Sequence, residues 1–284
     1  MSFPCATTSA PSMAPVSRWF LSPLNKGLLS SHLYNVLPIL MEKIIADNMS
    51  RDSFKFKQFV VHQERCAMKV GTDGTLLGAW AELNQYDGRV LDIGTGTGLI
   101  ALMMAQRYPE AHVTAIDIDE MAVLQAAENV RNSPFSNRIK VLMADVKAFE
   151  TTEMFDSIVC NPPFFNNALL CPDNQRTQAR HTLSLSYRDL MAAAWRLLSE
   201  EGLFSVIIPN NFFQQLESEA HLAGFFLTRV FCVRTIEGRP IKRYLLELSK
   251  KPHNELIKND VVIEITPNMR SEWYRELTQD FYIR

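Results

Sequence analysis

The sequence predicts one α/β domain on a doubly wound, mostly parallel sheet whose last strands run antiparallel. Three observations carry this. From residue 90 onward, short apolar runs that read as strands alternate with longer helical patterns, as βαβ crossovers require. A glycine-rich turn, Gly94-Thr95-Gly96-Thr97-Gly98, joins the first of these strands to its helix. Four polar residues, Asp92, Asp117, Asp145 and Asn161, fall at or near strand carboxyl ends, the edge where open α/β sheets take their ligands. The chain has 284 residues, 47% of them hydrophobic, which suffices for one full core of this kind.

Residues 1–48 differ from the remainder. Their opening is rich in Ser, Pro and Thr, and the apolar stretch from Leu33 to Ala46 is interrupted by Asn35, Pro38, Glu42 and Lys43. It is too short and too polar to span a bilayer, and it lacks the order of a signal peptide. Met49 stands directly before the patterned part. Residues 1–48 therefore read as a disordered or misassigned extension, and 49–284 as the folded domain. Phe54 to Val61 alternates like a short strand or hairpin. Cys66 to Trp80 holds a turn, with Thr72 or Asp73 as capping residue, before an apolar helix.

The alternating part follows. Val90–Ile93 reads as a strand and Leu99–Ala105 as a helix. Ala111–Ile116 reads as a second strand ending at Asp117, and Asp119 and Glu120 start a helix that runs to about Asn129. Negative charge is stabilised at that helix start. Ile139–Ala144 is a third strand ending at Asp145. Phe155–Cys160 is a buried strand ending at Asn161-Pro162-Pro163-Phe164. Beyond it, Leu190–Leu198 reads as a helix, Gly202–Ile208 as a strand and Asn211–Leu222 as a helix. Phe225–Val233 and Tyr244–Leu248 are the two last strands, paired antiparallel across the Gly238-Arg239-Pro240 turn region.

The chemistry concentrates at two motifs. In Asn161-Pro162-Pro163-Phe164 the prolines remove two backbone donors and impose a rigid, extended loop. An amide and an aromatic ring are thereby held side by side at a sheet edge. That pair suits a flat amine, such as the exocyclic amino group of adenine. The ring stacks on the base, and the Asn161 side-chain carbonyl and the Pro162 backbone carbonyl accept the two amine hydrogens. The plainer reading is a turn. The glycine loop has the spacing G-x-G-x-G. A dinucleotide fingerprint wants G-x-G-x-x-G, and the position of its third glycine is Leu99 here. Asp117, at the end of the second strand, is placed to accept both hydroxyls of a ribose, and Asp119 reads as a helix cap.

With Asp92 two positions before its first glycine, the loop resembles the S-adenosylmethionine loop of Rossmann-like methyltransferases. Two further segments, Phe54-Lys55-Phe56-Lys57-Gln58-Phe59 and Met68-Lys69-Val70-Gly71-Thr72-Asp73, closely resemble the bacterial tRNA1(Val) N6-adenosine methyltransferases, which modify the adenosine 3′ of the anticodon. Matching stretches run from about residue 54 to 250 and include Leu277–Tyr282. The resemblance implies a Rossmann-like methyltransferase fold over residues 49–284 and S-adenosylmethionine as cofactor. Its binding residues are then Thr72, Asp73, Asp92, Gly94, Gly96, Gly98, Asp117, Asp145 and Asn161, with Asp145 meeting the cofactor's adenine amino group. The catalytic residues are Asn161, Pro162 and Phe164, and the partner is tRNA. A cytoplasmic monomer without metal or membrane is expected. Many amino-methyltransferases carry Tyr where this chain has Phe164, but stacking does not need the hydroxyl. The same loop serves guanine-N2 methyltransferases of ribosomal RNA and glutamine methyltransferases of release factors. A catalytically silent RNA-binding protein on this fold is the non-enzyme alternative.

A net charge of −2 excludes a global field for nucleic acid, so RNA must meet local basic groups. The candidates are Lys55, Lys57, Arg65 and Lys69 at the front, Arg176, Arg180 and Arg188 after the proline loop, and Arg239, Lys242 and Arg243 near the end. The five cysteines, Cys5, Cys66, Cys160, Cys171 and Cys232, show no C-x-x-C spacing. That argues against a zinc site and suits a reducing compartment.

Overall fold

The computed structural model describes residues 52–66, 68–163 and 185–283. A hairpin of β1 (Ser53–Lys55) and β2 (Val60–His62) precedes helix α1 (Thr72–Trp80). The alternating part then gives β3 (Arg89–Ile93), α2 (Leu99–Arg107), β4 (His112–Asp117), α3 (Glu120–Arg131), β5 (Ile139–Met143) and β6 (Phe155–Cys160). It continues with α4 (Tyr187–Leu197), β7 (Leu198–Pro209), α5 (Phe213–Ala223), β8 (Phe226–Ile236) and β9 (Arg243–Ser249). The last elements are β10 (Ile257–Thr266), β11 (Met269–Arg270) and α6 (Glu272–Thr278).

Nine strands form one sheet in the order β11-β10-β8-β9-β7-β6-β3-β4-β5. From β7 to β5 all neighbours are parallel, and β9 runs antiparallel between β7 and β8. The predicted sheet is present, including the antiparallel pair across Gly238. Strand alternation divides the core between the two faces. Val90, Val159, Ile207 and Leu245 pack with α1 and α2 on one side. Leu91, Ile158, Val206 and Leu246 pack with α4 and α5 on the other. Both faces are covered, so the central strands read as continuous apolar runs.

Three elements depart from expectation. The first is β10, which pairs parallel with β8 at the sheet's edge. Its first four residues, Ile257-Lys258-Asn259-Asp260, are all exposed, so no apolar rhythm marks them. The second is α6, seven residues long and capped by Ser271, whose hydroxyl accepts the Tyr274 N–H. The third is the start of α1. Neither Thr72 nor Asp73 caps it: the N-cap is Gly71, without a side-chain hydrogen bond, and both residues lie in the first helical turn. Asp119, by contrast, caps α3 by accepting the Met121 N–H at 3.0 Å.

The closing segment grips the opening hairpin. Lys57 donates from its backbone N–H to Phe281 O at 2.8 Å and from Nζ to Gln279 O at 2.5 Å. Phe56 and Phe281 are both buried, and Tyr282 stacks on Phe56 with ring centroids 5.9 Å apart. The front basic cluster is therefore partly structural: Lys57 holds the chain's last turn and sits beside Gln106 and Arg107, at the carboxyl end of α2.

Candidate functional site

A cavity of about 570 Å³ opens at the carboxyl edge of the parallel strands. Its walls come from the 66–74 segment, the glycine loop, the β4–α3 and β5 turns, and Asn161 with Pro163. The topology explains the place. The chain runs outward from β3 to β4 and β5 and then returns to form β6 on the other side of β3, and a crevice opens beyond the strand ends at such a switch point.

The glycine loop is set by backbone conformation. Gly94, Gly96 and Gly98 take φ of 70°, 56° and 81°, where a side chain is strained. A Cβ at Gly94 or Gly96 would meet nothing within 4 Å, because both face the cavity, whereas one at Gly98 would lie 3.3 Å from the Ala126 Cβ. Gly98 thus brings α3 close to the loop and does not line the cavity. The Gly94 and Thr95 N–H groups donate to Ile116 O at 2.9 and 3.0 Å.

Two aspartates hold this loop from behind and from the side. Asp92 is fully buried and does not line the cavity. Its Oδ2 accepts from Thr95 Oγ1 at 2.6 Å and from Ala101 N at 3.2 Å. Burial pushes its pKa up to about 7, against the lowering effect of those two hydrogen bonds. Asp117 does line the cavity. It accepts the Gly96 N–H at 2.8 Å and the Asp119 N–H at 3.0 Å, one on each oxygen. Each carboxylate oxygen keeps a further lone pair for a hydroxyl. Asp145 lines the far side of the cavity and accepts the Lys147 N–H at 3.0 Å.

Asp73 lines the opposite wall and is held by an ion pair with Arg243, at the start of β9. Burial lowers the Arg243 pKa from its usual value. Thr72 lies beside Asp73 but is not part of the cavity wall. Cys66 lines the cavity as a protonated thiol, its pKa raised to about 11 by burial, then by Asp117 and Asp119.

At the mouth, Asn161 donates from Nδ2 to Met68 Sδ at 3.7 Å. Its Oδ1 is buried and has no hydrogen-bond partner among the described residues. An orphaned acceptor of this kind costs roughly 1–3 kcal/mol unless a donor satisfies it. Pro162 is buried and Pro163 exposed. Phe164 lies outside the described residues, as do Arg176 and Arg180.

One organising residue escaped sequence reasoning. Asn129, fully buried on α3, donates from Nδ2 to Thr97 O and His62 O, both at 2.8 Å, and accepts the His62 N–H at 2.9 Å. It ties the hairpin to the glycine loop. A polar residue on the inward face of a helix is the one signal for it, and that signal names no partner.

Among the described residues no group of three or more His, Cys, Asp or Glu side chains is arranged to hold a metal ion. None of their helices is long and apolar enough to cross a membrane. Left-handed glycines opening onto the cavity, an acid at the second strand end and the unpartnered Asn161 acceptor fit an elongated nucleoside cofactor beside an amine.

Comparison with known proteins agrees. The family described as "Methyltransferase small domain" matches residues 72–228. A tRNA1(Val) (adenine(37)-N6)-methyltransferase of Bacteroides thetaiotaomicron is 45% identical over 237 residues, 83% of this chain and 99% of its own. The protein of the same name from Histophilus somni is 42% identical over 82% of this chain and 98% of its own. Among solved structures, one described as a predicted O-methyltransferase, protein Atu636 from Agrobacterium tumefaciens, superposes with a TM-score of 0.60. It is 19% identical, covers 74% of this chain and 96% of its own, and speaks to the fold alone.

Proposed function

The chain belongs to the tRNA1(Val) (adenine(37)-N6)-methyltransferases, and we propose that it methylates N6 of the adenosine following the anticodon, position 37 of tRNA1(Val). S-adenosylmethionine is the cofactor and supplies an electrophilic methyl group on a sulfonium. The observation that carries the chemical reading is the buried Oδ1 of Asn161, a residue of the cavity wall, which has no partner among the described residues.

An adenine amino nitrogen is a poor nucleophile because its lone pair is delocalised into the ring. Asn161 Oδ1 accepts one N6 hydrogen and the Pro162 carbonyl accepts the other. Both hydrogens held this way favour a pyramidal nitrogen, whose lone pair then points along the line of displacement. Positioning supplies much of the acceleration. As nitrogen bonds to the methyl carbon and the carbon–sulfur bond breaks, the positive charge developing on N6 is stabilised by the same two carbonyl dipoles, and its surplus proton then passes to water. Met68 supports this by taking the amide N–H, so that Oδ1 is the part of the amide still without a partner among the described residues. Phe164 stacks on the target base, which is unstacked from the anticodon loop at less cost than from a duplex.

On the cofactor side, Asp117 accepts the ribose hydroxyls, Asp145 meets the adenine, and Asp73 with the glycine loop lines the methionine end. Asp92, Gly98 and Thr72 support these groups from behind. The enzyme works as a monomer in the cytoplasm, with residues 49–284 as the catalytic domain. Relatives whose length is matched almost in full within 237 residues support that boundary.

The test is incubation of unmodified tRNA1(Val) with labelled S-adenosylmethionine, then nuclease mapping. Label on N6 of the adenosine after the anticodon is expected. Label on guanosine, or on a release-factor glutamine and not on tRNA, overturns the reading.

A further inference from the structure

The basic groups singled out in the sequence are not equivalent once folded. Lys57 is bound to Gln279 O, Arg65 to Glu128 at 3.1 Å, and Arg243 to Asp73. Lys69 lies 3.7 Å from Asp52 and Arg188 3.8 Å from Glu219. Among the described candidates, Lys55, Arg239 and Lys242 are exposed and carry no ion pair; Lys55 lies on β1, in the hairpin, which adds no strand to the large sheet. Arg239 and Lys242 lie on the connection between β8 and β9, where Glu237 is the neighbouring acid and is also exposed.

Strand register puts this connection beside the site. Cys160 is level with Val206 on β7, so Asn161 is level with Ile207. Pro209 pairs with Arg243 on β9, and the Asn210 N–H donates to Lys242 O at 3.2 Å. Lys242 is thus two strands across and three residues beyond Asn161. At ~4.8 Å per strand and ~3.3 Å per residue, both offsets are roughly 10 Å. That is a span of a few nucleotides, along the same carboxyl edge. Half-buried aromatic pairs pack against the core near these strand ends, with Phe212 and Phe213 just after β7 and Tyr244 on β9 level with Ile208. Tyr187 meets Phe212 with centroids 6.0 Å apart, and Phe213 meets Tyr244 at 4.5 Å. The connection is also built in advance. Gly238 takes φ of 74°, Arg239 N donates to Ile236 O at 3.2 Å, and Pro240 restricts Arg239 to extended conformations.

We propose that the β8–β9 connection is the docking edge for the RNA backbone, with Arg239 and Lys242 taking phosphates beside the target nucleotide and the aromatic row meeting bases next to it. Unpaired cations near half-buried aromatic rings match a single-stranded loop better than a protein or lipid surface. The inference rests on tRNA being the substrate.

The test compares Arg239→Ala/Lys242→Ala, and the milder Arg239→Gln/Lys242→Gln, with wild type and with a control pair, Lys140→Ala/Lys258→Ala, at exposed lysines elsewhere. Thermal unfolding and S-adenosylmethionine affinity are expected to be unchanged in all three variants. KM for tRNA1(Val) is expected to rise by about tenfold in the two test variants only. The slope of log Kd for an anticodon stem-loop against log salt should become shallower by about 1.4–2, the signature of two lost phosphate contacts. Unchanged KM and salt slope, with wild type methylating tRNA normally, would overturn the docking edge and leave the enzyme assignment standing. Absence of tRNA methylation by wild type itself would overturn both.

Discussion

The cofactor wall and the acceptor edge of this site are built on opposite terms. On the wall, the groups that shape the loop already hold partners: Asp117 grips two backbone N–H groups, and Asp92 grips Thr95 and Ala101 through Oδ2, leaving only its Oδ1, away from the cavity, without a partner among the described residues. At the edge, Asn161 Oδ1 has none among the described residues, and Arg239 and Lys242 stand free of ion pairs. A wall with its bonds in place binds one small molecule of fixed shape without reorganising. An edge with unmet acceptors and cations gains most when the nucleotide arrives, which is where catalysis needs interaction energy to appear.

The largest expected effect breaks the edge alone. Asn161→Ala should lower kcat by a hundredfold or more, roughly 3 kcal/mol, as for loss of one charge-stabilising group. Cofactor affinity measured by calorimetry should barely change. Near-normal turnover would remove Asn161 from the chemistry and the contrast with it.

Asp117→Ala breaks the wall. Each charged hydrogen bond contributes about 1.5–3 kcal/mol, so S-adenosylmethionine affinity should fall by roughly ten- to a hundredfold. Calorimetry showing unchanged affinity would move the ribose contact to Asp119. Gly98→Ala sharpens the same side. Its φ of 81° and the 3.3 Å approach to Ala126 predict a loss of about 1–3 kcal/mol in stability, read as a lower Tm.

A smaller effect follows from Asp92. Its carboxyl titrates near pH 7 when folded and near 3.8 as an ordinary carboxyl. Between those values the folded state holds a proton that the unfolded state has released. The stability this gives is fully present below the unfolded pKa and is lost as pH rises through about 7. Unfolding of the cofactor-free protein from pH 5 to pH 8 should therefore show a downward slope that Asp92→Asn flattens. Equal slopes in both proteins would mean that the carboxyl is not the titrating group. Smallest of all is removal of residues 1–48, which should leave Tm and tRNA methylation unchanged; a large loss in either would give the extension a role in the domain.

Much of the wall was legible in the sequence, because strands buried on both faces write themselves as apolar runs and left-handed turns as glycines. Asp117 and Asp145 stood at strand ends that the pattern had already located. The edge was legible only in part. Asn161 announced itself through its prolines, but the bond between Arg243 and Asp73 joins residues 170 positions apart, and no local pattern records it. The same holds for Asn129, whose partners lie on two other elements. Strand β10 was missed because its ladder with β8, and not an apolar face, defines it. Thr72 and Asp73 satisfied the cap rule by composition, yet α1 already begins at Thr72 and its N-cap is Gly71.

The grip of Phe281 and Gln279 on Lys57 sets an order of events during synthesis. The hairpin is made well before the carbonyls that hold it, which come 222 residues after Lys57 in the case of Gln279. The 66–74 wall of the cavity follows directly on that hairpin, and Asn129 ties the hairpin to the glycine loop. Until residue 281 is released, the cofactor wall lacks its anchor at one end. A chain without residues 279–281 would keep every motif residue and lose both carbonyls that hold Lys57.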